Sequence, residues 1–128
     1  MAANLSVEDA RIAAACGVDG IIVSNHGGRN LDCVPNPTCV IERIAEQVGD
    51  RTTVLADSGV HRGSDMAKYL SLGAKGVLIG RAPLYGVASG GAAGASRIIE
   101  ILRHELDTVM ALLVAASIED LIGRHRYQ

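Results

Sequence analysis

Apolar residues follow two rhythms along this chain, and the alternation between them predicts its elements. Short aliphatic runs, "DGIIVS" (19–24), "RTTVLAD" (51–57) and "KGVLIG" (75–80), are rich in β-branched residues and bounded by glycine or polar residues, as buried strands are. Between them the spacing becomes that of amphipathic helices. Ser6 opens "SVED", a capping box that predicts a helix to about Cys16, with Gly17 just past its end. "CVIERIAEQV" (39–48) predicts a second helix, after a loop broken by Pro35, Asn36 and Pro37. "DMAKYLSL" (65–72) predicts a third, capped by Ser64 or Asp65 and closed by Gly73. A long helix is expected from about Ala95 to Leu113, with Ile98, Ile101, Leu102, Leu106, Val109, Met110 and Leu113 on its apolar side. The tail "SIEDLIGRHRYQ" (117–128) predicts at most one more short turn of helix.

The segments "GVDGIIVSNHGG" (17–28) and "GAKGVLIGRAPL" (73–84) share an order: helix-ending glycine, strand-opening glycine, aliphatic strand, polar loop. With "TTVLADSGV" between them the chain reads α-β-α-β-α-β-α, which right-handed crossovers turn into a parallel sheet. Two α/β architectures fit, a doubly wound open sheet or part of a (β/α)8 barrel. A complete barrel needs about 250 residues and eight strands, so three βα units and a long helix make only part of one.

Composition narrows this further. The 128 residues allow one domain, 1–128, and the 48% apolar content is aliphatic, with no Phe or Trp and 15 Gly, as suits buried parallel strands. A formal net charge of −2 without a basic patch argues against a nucleic-acid partner. No apolar run approaches the roughly 18–20 residues of a membrane-spanning segment. The first residues lack the pattern of a signal peptide. Cys16, Cys33 and Cys39 are odd in number and match no zinc or CxxC spacing, which points to reduced thiols in a cytoplasmic setting. Cys16, on an apolar helix face, is expected in the core.

The chemistry gathers after the strands. In "SNHGGRNLD" (24–32) His26 is flanked by glycines that let backbone approach a ligand, and an imidazole can take a proton from a hydroxyl at physiological pH. Arg29, three residues on, offers a planar fork for a carboxylate. A base beside an anion anchor suits a 2-hydroxy acid. A polar loop whose His and Arg bond only backbone carbonyls fits the spacing as well. "ADSGVHRG" (56–63) and "IGR" (79–81) place Gly59, Gly63, Gly80 and Arg81 where strands finish, a common phosphate position in barrels. Ordinary βα turns with solvated arginines remain the alternative there.

Three motifs, "GIIVSNHGGRNLD", "LADSGVHRGSDMAKYLSLGAKGVLIGRAPLYG" and "ILRHELDTVMALL", resemble the FMN-dependent α-hydroxy acid oxidases and dehydrogenases in order and spacing over nearly the whole chain. The family includes glycolate oxidase and the lactate and mandelate dehydrogenases. The resemblance implies a (β/α)8 barrel, of which this chain would be the C-terminal part. It further implies FMN as cofactor, and oxidation of an L-2-hydroxy acid to a 2-oxo acid. By that resemblance His26 is the base and Arg29 the substrate-carboxylate anchor. Ser24 contacts the flavin, Asp57, Ser58, Gly59, Val60 and His61 form the flavin-binding turn, and Gly80 with Arg81 grips the phosphate. "LDCVPNP" and "RAPLYG" lean toward the mandelate dehydrogenases without fixing a substrate.

The family's flavin-contacting lysine, active-site tyrosines, histidine-supporting aspartate and second substrate arginine have no counterpart here. An N-terminal half-barrel is therefore expected as partner, and the isolated chain is expected to be inactive. Three positions depart from the family pattern. His61 stands where an arginine is usual, Asn30 where glutamine is common, and Val114 where a glycine usually ends the long helix, so that helix end is expected to be altered. Without an opposing layer, inward residues such as Ile22 and Leu78 would be uncovered. That motivates a second function, a non-catalytic half-barrel that self-associates and binds at most FMN or phosphate. A third is a different phosphate-binding barrel acting on nucleotides or isoprenoids.

Overall fold

The computed structural model describes residues 3–4 and 6–123. Helices alternate with strands: β1 (Ala3–Asn4), α1 (Val7–Ala15), β2 (Gly20–Val23), α2 (Ile41–Val48), β3 (Thr53–Ala56), α3 (Gly63–Ser71), β4 (Gly76–Val77) and α4 (Arg81–Leu112). Three short 3-10 turns, His26–Gly28, Pro37–Cys39 and Glu119–Leu121, punctuate the loops and tail. All strand pairs are parallel and the sheet order is β1-β2-β3-β4. A doubly wound sheet reverses its strand order, whereas consecutive strands laid side by side are what a barrel wall requires.

The helices cover one face only. Ile21 and Val23 of β2 and Val54 and Ala56 of β3 pack with Ala10 of α1, Ile41, Ile44 and Val48 of α2, and Tyr69 of α3. The opposite face carries Ile22, Leu55 and, just past β4, Leu78, which is 37% exposed. Ile22 is nevertheless buried, so the expected bareness of this face holds at Leu78 and not at Ile22. A second cluster joins Ala67 and Leu70 of α3 to Leu106 of α4, with Ala115 and Leu121 beyond it. There Gly63 lies against the backbone of Glu105 and Leu106, closer than any Cβ would permit.

Several elements differ from the sequence expectation. A fourth strand, β1, pairs with β2 through Ala3 and Asn4, a stretch too short to show a period. Only Gly76 and Val77 of "KGVLIG" join the ladder with β3, although the Leu78 N–H still reaches Ala56 C=O at 2.8 Å. The N-cap of α3 is Arg62, and Asp65 sits one turn in, accepting from the N–H groups of His61 and Arg62 at 3.1 Å each. α4 is two helical stretches joined across a break at Gly90 and Gly91 (φ −157° and 58°), where Gly86 and Gly94 touch backbone to backbone; the second is the helix expected from about Ala95, and the first, from Arg81, is additional. Cys16 is exposed, because it caps the end of α1 rather than facing the sheet. The end of α4 is not altered. Val114 takes φ 54°, the Val114 N–H donates to Ala111 C=O at 3.1 Å, and the Ala115 N–H donates to Met110 C=O at 2.9 Å. That is a Schellman cap with valine in the glycine position.

Candidate active site

The site lies at the carboxyl ends of β2, β3 and β4. After β2 the chain turns through three successive residues of positive φ, His26 (57°), Gly27 (65°) and Gly28 (73°). Glycine takes this conformation freely and histidine does so at a cost, which explains the paired glycines. The turn is closed by the Gly28 N–H to Asn25 C=O at 3.0 Å. Ser24, 6% exposed, lies beneath it and its Oγ accepts the His26 N–H at 3.0 Å. His26 and Arg29 are exposed and face one cleft of about 370 Å³.

The loop after β3 supplies the middle wall, Asp57 through His61, with Ser58 (φ 81°) and Gly59 (φ 69°) both left-handed. Val60 is buried and ties the loop to the core, while His61 is exposed on the cleft. Burial alone would raise the Asp65 carboxyl. Hydrogen bonds from the His61 and Arg62 backbones, then the Lys68 ammonium, outweigh burial and hold Asp65 below its ordinary value.

The third wall is Gly80 and Arg81, at the positive end of α4. A Cβ on Gly27 would stand 3.4 Å from Arg81 Nη2, so the absence of a side chain lets this guanidinium lie over the β2 loop. A Cβ on Gly80 would meet nothing within 4 Å. Among the described residues neither Arg29 nor Arg81 pairs with a carboxylate, whereas Arg62 lies 3.9 Å from Glu105. The cleft therefore presents two guanidinium groups outside any ion pair beside open backbone, with the Asp57 carboxylate on its middle wall.

Of the residues expected at the site, nine line the cleft and Ser24 lies under it. Gly63 does not belong to it, because it is buried in α3 against α4 and its N–H donates to Glu105 Oε2 at 2.8 Å. Two contributors were not singled out. The Asn25 N–H donates to Ser58 Oγ at 3.2 Å, and the Tyr69 hydroxyl donates to Ser58 C=O at 2.8 Å. Tyr69 is 2% exposed, and burial, then the charges of Asp57, Asp65 and Cys39, push its phenol up to about 12. Its helical spacing marks it only as a core residue, and nothing in the sequence signals its reach to a loop.

Residues 5–127 match the family of FMN-dependent dehydrogenases. The chain belongs to that family. The FMN-dependent dehydrogenase relatives include the L-lactate dehydrogenase of Caulobacter sp. (strain K31), 52% identical over 108 residues, covering 84% of this chain and 28% of that protein. A peroxisomal (S)-2-hydroxyacid oxidase of Arabidopsis thaliana is 47% identical over 94% of this chain and 33% of its own length. Among solved structures, a soluble mutant of the membrane-associated (S)-mandelate dehydrogenase from Pseudomonas putida superposes with a TM-score of 0.89 at 43% identity, over 94% of this chain and 34% of that one. The chain thus spans about a third of the length of these relatives, and its one-sided parallel sheet is part of an α/β barrel. Membership removes the reading as an unrelated phosphate-binding barrel. Among the described residues no helix is long and apolar enough to cross a membrane. The cleft fits the phosphate end of FMN, since it combines glycine backbone, a helix N-terminus and the unpaired Arg81.

Proposed function

We propose that this chain supplies the base, the carboxylate anchor and the phosphate grip of an FMN-dependent 2-hydroxy acid oxidoreductase, with residues 1–128 acting as part of that domain alongside further barrel strands. The supporting observation is that one cleft collects the ends of three consecutive strands, with His26 and Arg29 on one wall and Gly80 and Arg81 on another. FMN, when bound, would accept the α-hydrogen with its electron pair as the hydroxyl carbon becomes a carbonyl. A ring nitrogen of neutral His26 takes the proton of the substrate hydroxyl. Arg29 pairs with the substrate carboxylate through two guanidinium N–H groups. Gly59, Gly80 and Arg81 hold the phosphate, with His61 on the same cleft.

The test mixes the chain with FMN, alone and together with an N-terminal half-barrel, and follows flavin absorbance and its bleaching by L-2-hydroxy acids without oxygen. The expected result is bound flavin in the complemented sample. His26→Gln is expected to slow bleaching by about 10²–10⁴-fold with flavin retained, the range of a lost general base. No bound flavin in either sample overturns the proposal.

A second reading has its own observation. Leu78 and Leu84 (62% exposed) line the cleft, and among the described residues the sheet ends at β1 and β4 with no further strand paired to either. Uncovered apolar surface and free edges favour pairing between copies. A self-associating half-barrel binding at most FMN or phosphate would show as an oligomer by light scattering, and a monomer that unfolds cooperatively would exclude it.

A further inference from the structure

We propose that Ser58 is a positioning residue for the His26 loop, anchored in the core by Tyr69. The inference rests on the reading of His26 as the base, and it gives Ser58 a role other than touching the cofactor. A serine hydroxyl offers one proton and two acceptor positions. In Ser58 all three are used: Oγ accepts the Asn25 N–H at 3.2 Å and the Gly27 N–H at 3.3 Å, and donates to Asp57 Oδ1 at 2.6 Å. Asp57 is the only acceptor among these partners, so the direction of each bond follows. None is left for a ligand.

The two amides that Ser58 holds flank His26, whose own N–H is held by Ser24 Oγ at 3.0 Å. Three consecutive N–H groups, 25 to 27, are thus fixed by two hydroxyl oxygens, one from their own loop and one from the loop after β3. This is the strap that the run of positive φ at 26–28 requires, since histidine has no intrinsic preference for that conformation. Ser58 is itself left-handed at φ 81°, and its carbonyl is fixed by the Tyr69 hydroxyl at 2.8 Å. The connection runs from α3 through the β3 loop to the β2 loop, and ends where Gly27 meets Arg81. A change at Ser58 therefore reaches both the base and the phosphate grip without contacting substrate.

The experiment compares the full chain with Ser58→Ala, Ser58→Gly and Tyr69→Phe. Amide hydrogen exchange is read by NMR at Asn25 and Gly27, with Ile21 and Val54 as internal standards, and FMN affinity is read by flavin fluorescence. Ser58→Gly relieves the left-handed backbone but lacks the hydroxyl, so a loss shared by the glycine and alanine variants belongs to the hydroxyl. The expected result is exchange at Asn25 and Gly27 at least tenfold faster in both, with Ile21 and Val54 unchanged and FMN bound severalfold more weakly. Tyr69→Phe is expected to move the same two amides by a smaller factor. Unchanged exchange at Asn25 and Gly27 in Ser58→Gly overturns the proposal, as does acceleration spread equally over the standards. Faster exchange at those two amides in a chain that binds no FMN, even with an N-terminal half-barrel added, supports the strap and overturns the flavin reading instead.

Discussion

Val114 shows how a residue can carry a conformation that its chemistry resists. It closes α4 in the left-handed region at φ 54°, and its side chain is 81% exposed, so packing gives little in return. Val114→Gly is expected to stabilise the chain by about 1 kcal/mol, the order of the left-handed penalty for a residue with a Cβ. Urea denaturation of the two proteins measures it, and an equal or lower midpoint would contradict the assignment. Glycine signals were the most legible feature at this scale: Gly17 (φ 80°) and Gly73 (φ 98°) end their helices as the sequence suggests. Valine in the same role was not legible, because propensity argues against it and the cap hydrogen bonds overrule propensity. Cys16 misled for a related reason. An apolar position in the last turn of a helix points past the sheet, and period alone does not reveal where the sheet stops.

Among elements, α3 depends on one carboxylate at its first turn. Asp65 holds the His61 and Arg62 N–H groups and a Lys68 ammonium at 3.4 Å, and its carboxyl is held below the ordinary 3.8. A carboxylate with a depressed folded value stabilises fully above its unfolded value and loses that contribution as pH falls through the folded one. The stability gap between the chain and Asp65→Asn should thus be widest near neutral pH and shrink on acidification below about 3.8. Denaturant titrations at a series of pH values check it, and a gap independent of pH would contradict it. The capping signal in "GSDM" was visible in the sequence, but its register was not. Ser64 and Asp65 both qualify as caps by type, and the choice was made by tertiary contact, since the Gly63 N–H donates to Glu105 Oε2 of α4 at 2.8 Å. The strands were legible as aliphatic runs, yet β1 was not, because two residues gain strand character only from the neighbour they pair with.

For the whole molecule, the βα rhythm and the placing of chemistry at strand ends were readable, because both follow from periodicity and crossover rules that act locally. Which faces would be covered was not. Ile22 is buried and Leu78 is not, although both occupy the same side of the sheet. Exposed Leu78 and Leu84 predict concentration-dependent association, and Leu84→Glu is expected to shift the chain toward monomer in light scattering with unchanged circular dichroism. No shift would place the contact elsewhere.

The break at Gly90 and Gly91 gives α4 a use that a straight rod lacks. Unbroken, 32 residues would extend about 48 Å at 1.5 Å per residue, far beyond the width of a molecule this size. Doubled back on itself, the same run of sequence lends its opening stretch, with Arg81, to the rim and its closing stretch, with Leu102 and Leu106, to the packed interior. Two helical stretches thereby act as gatepost and foundation, with a glycine elbow between them.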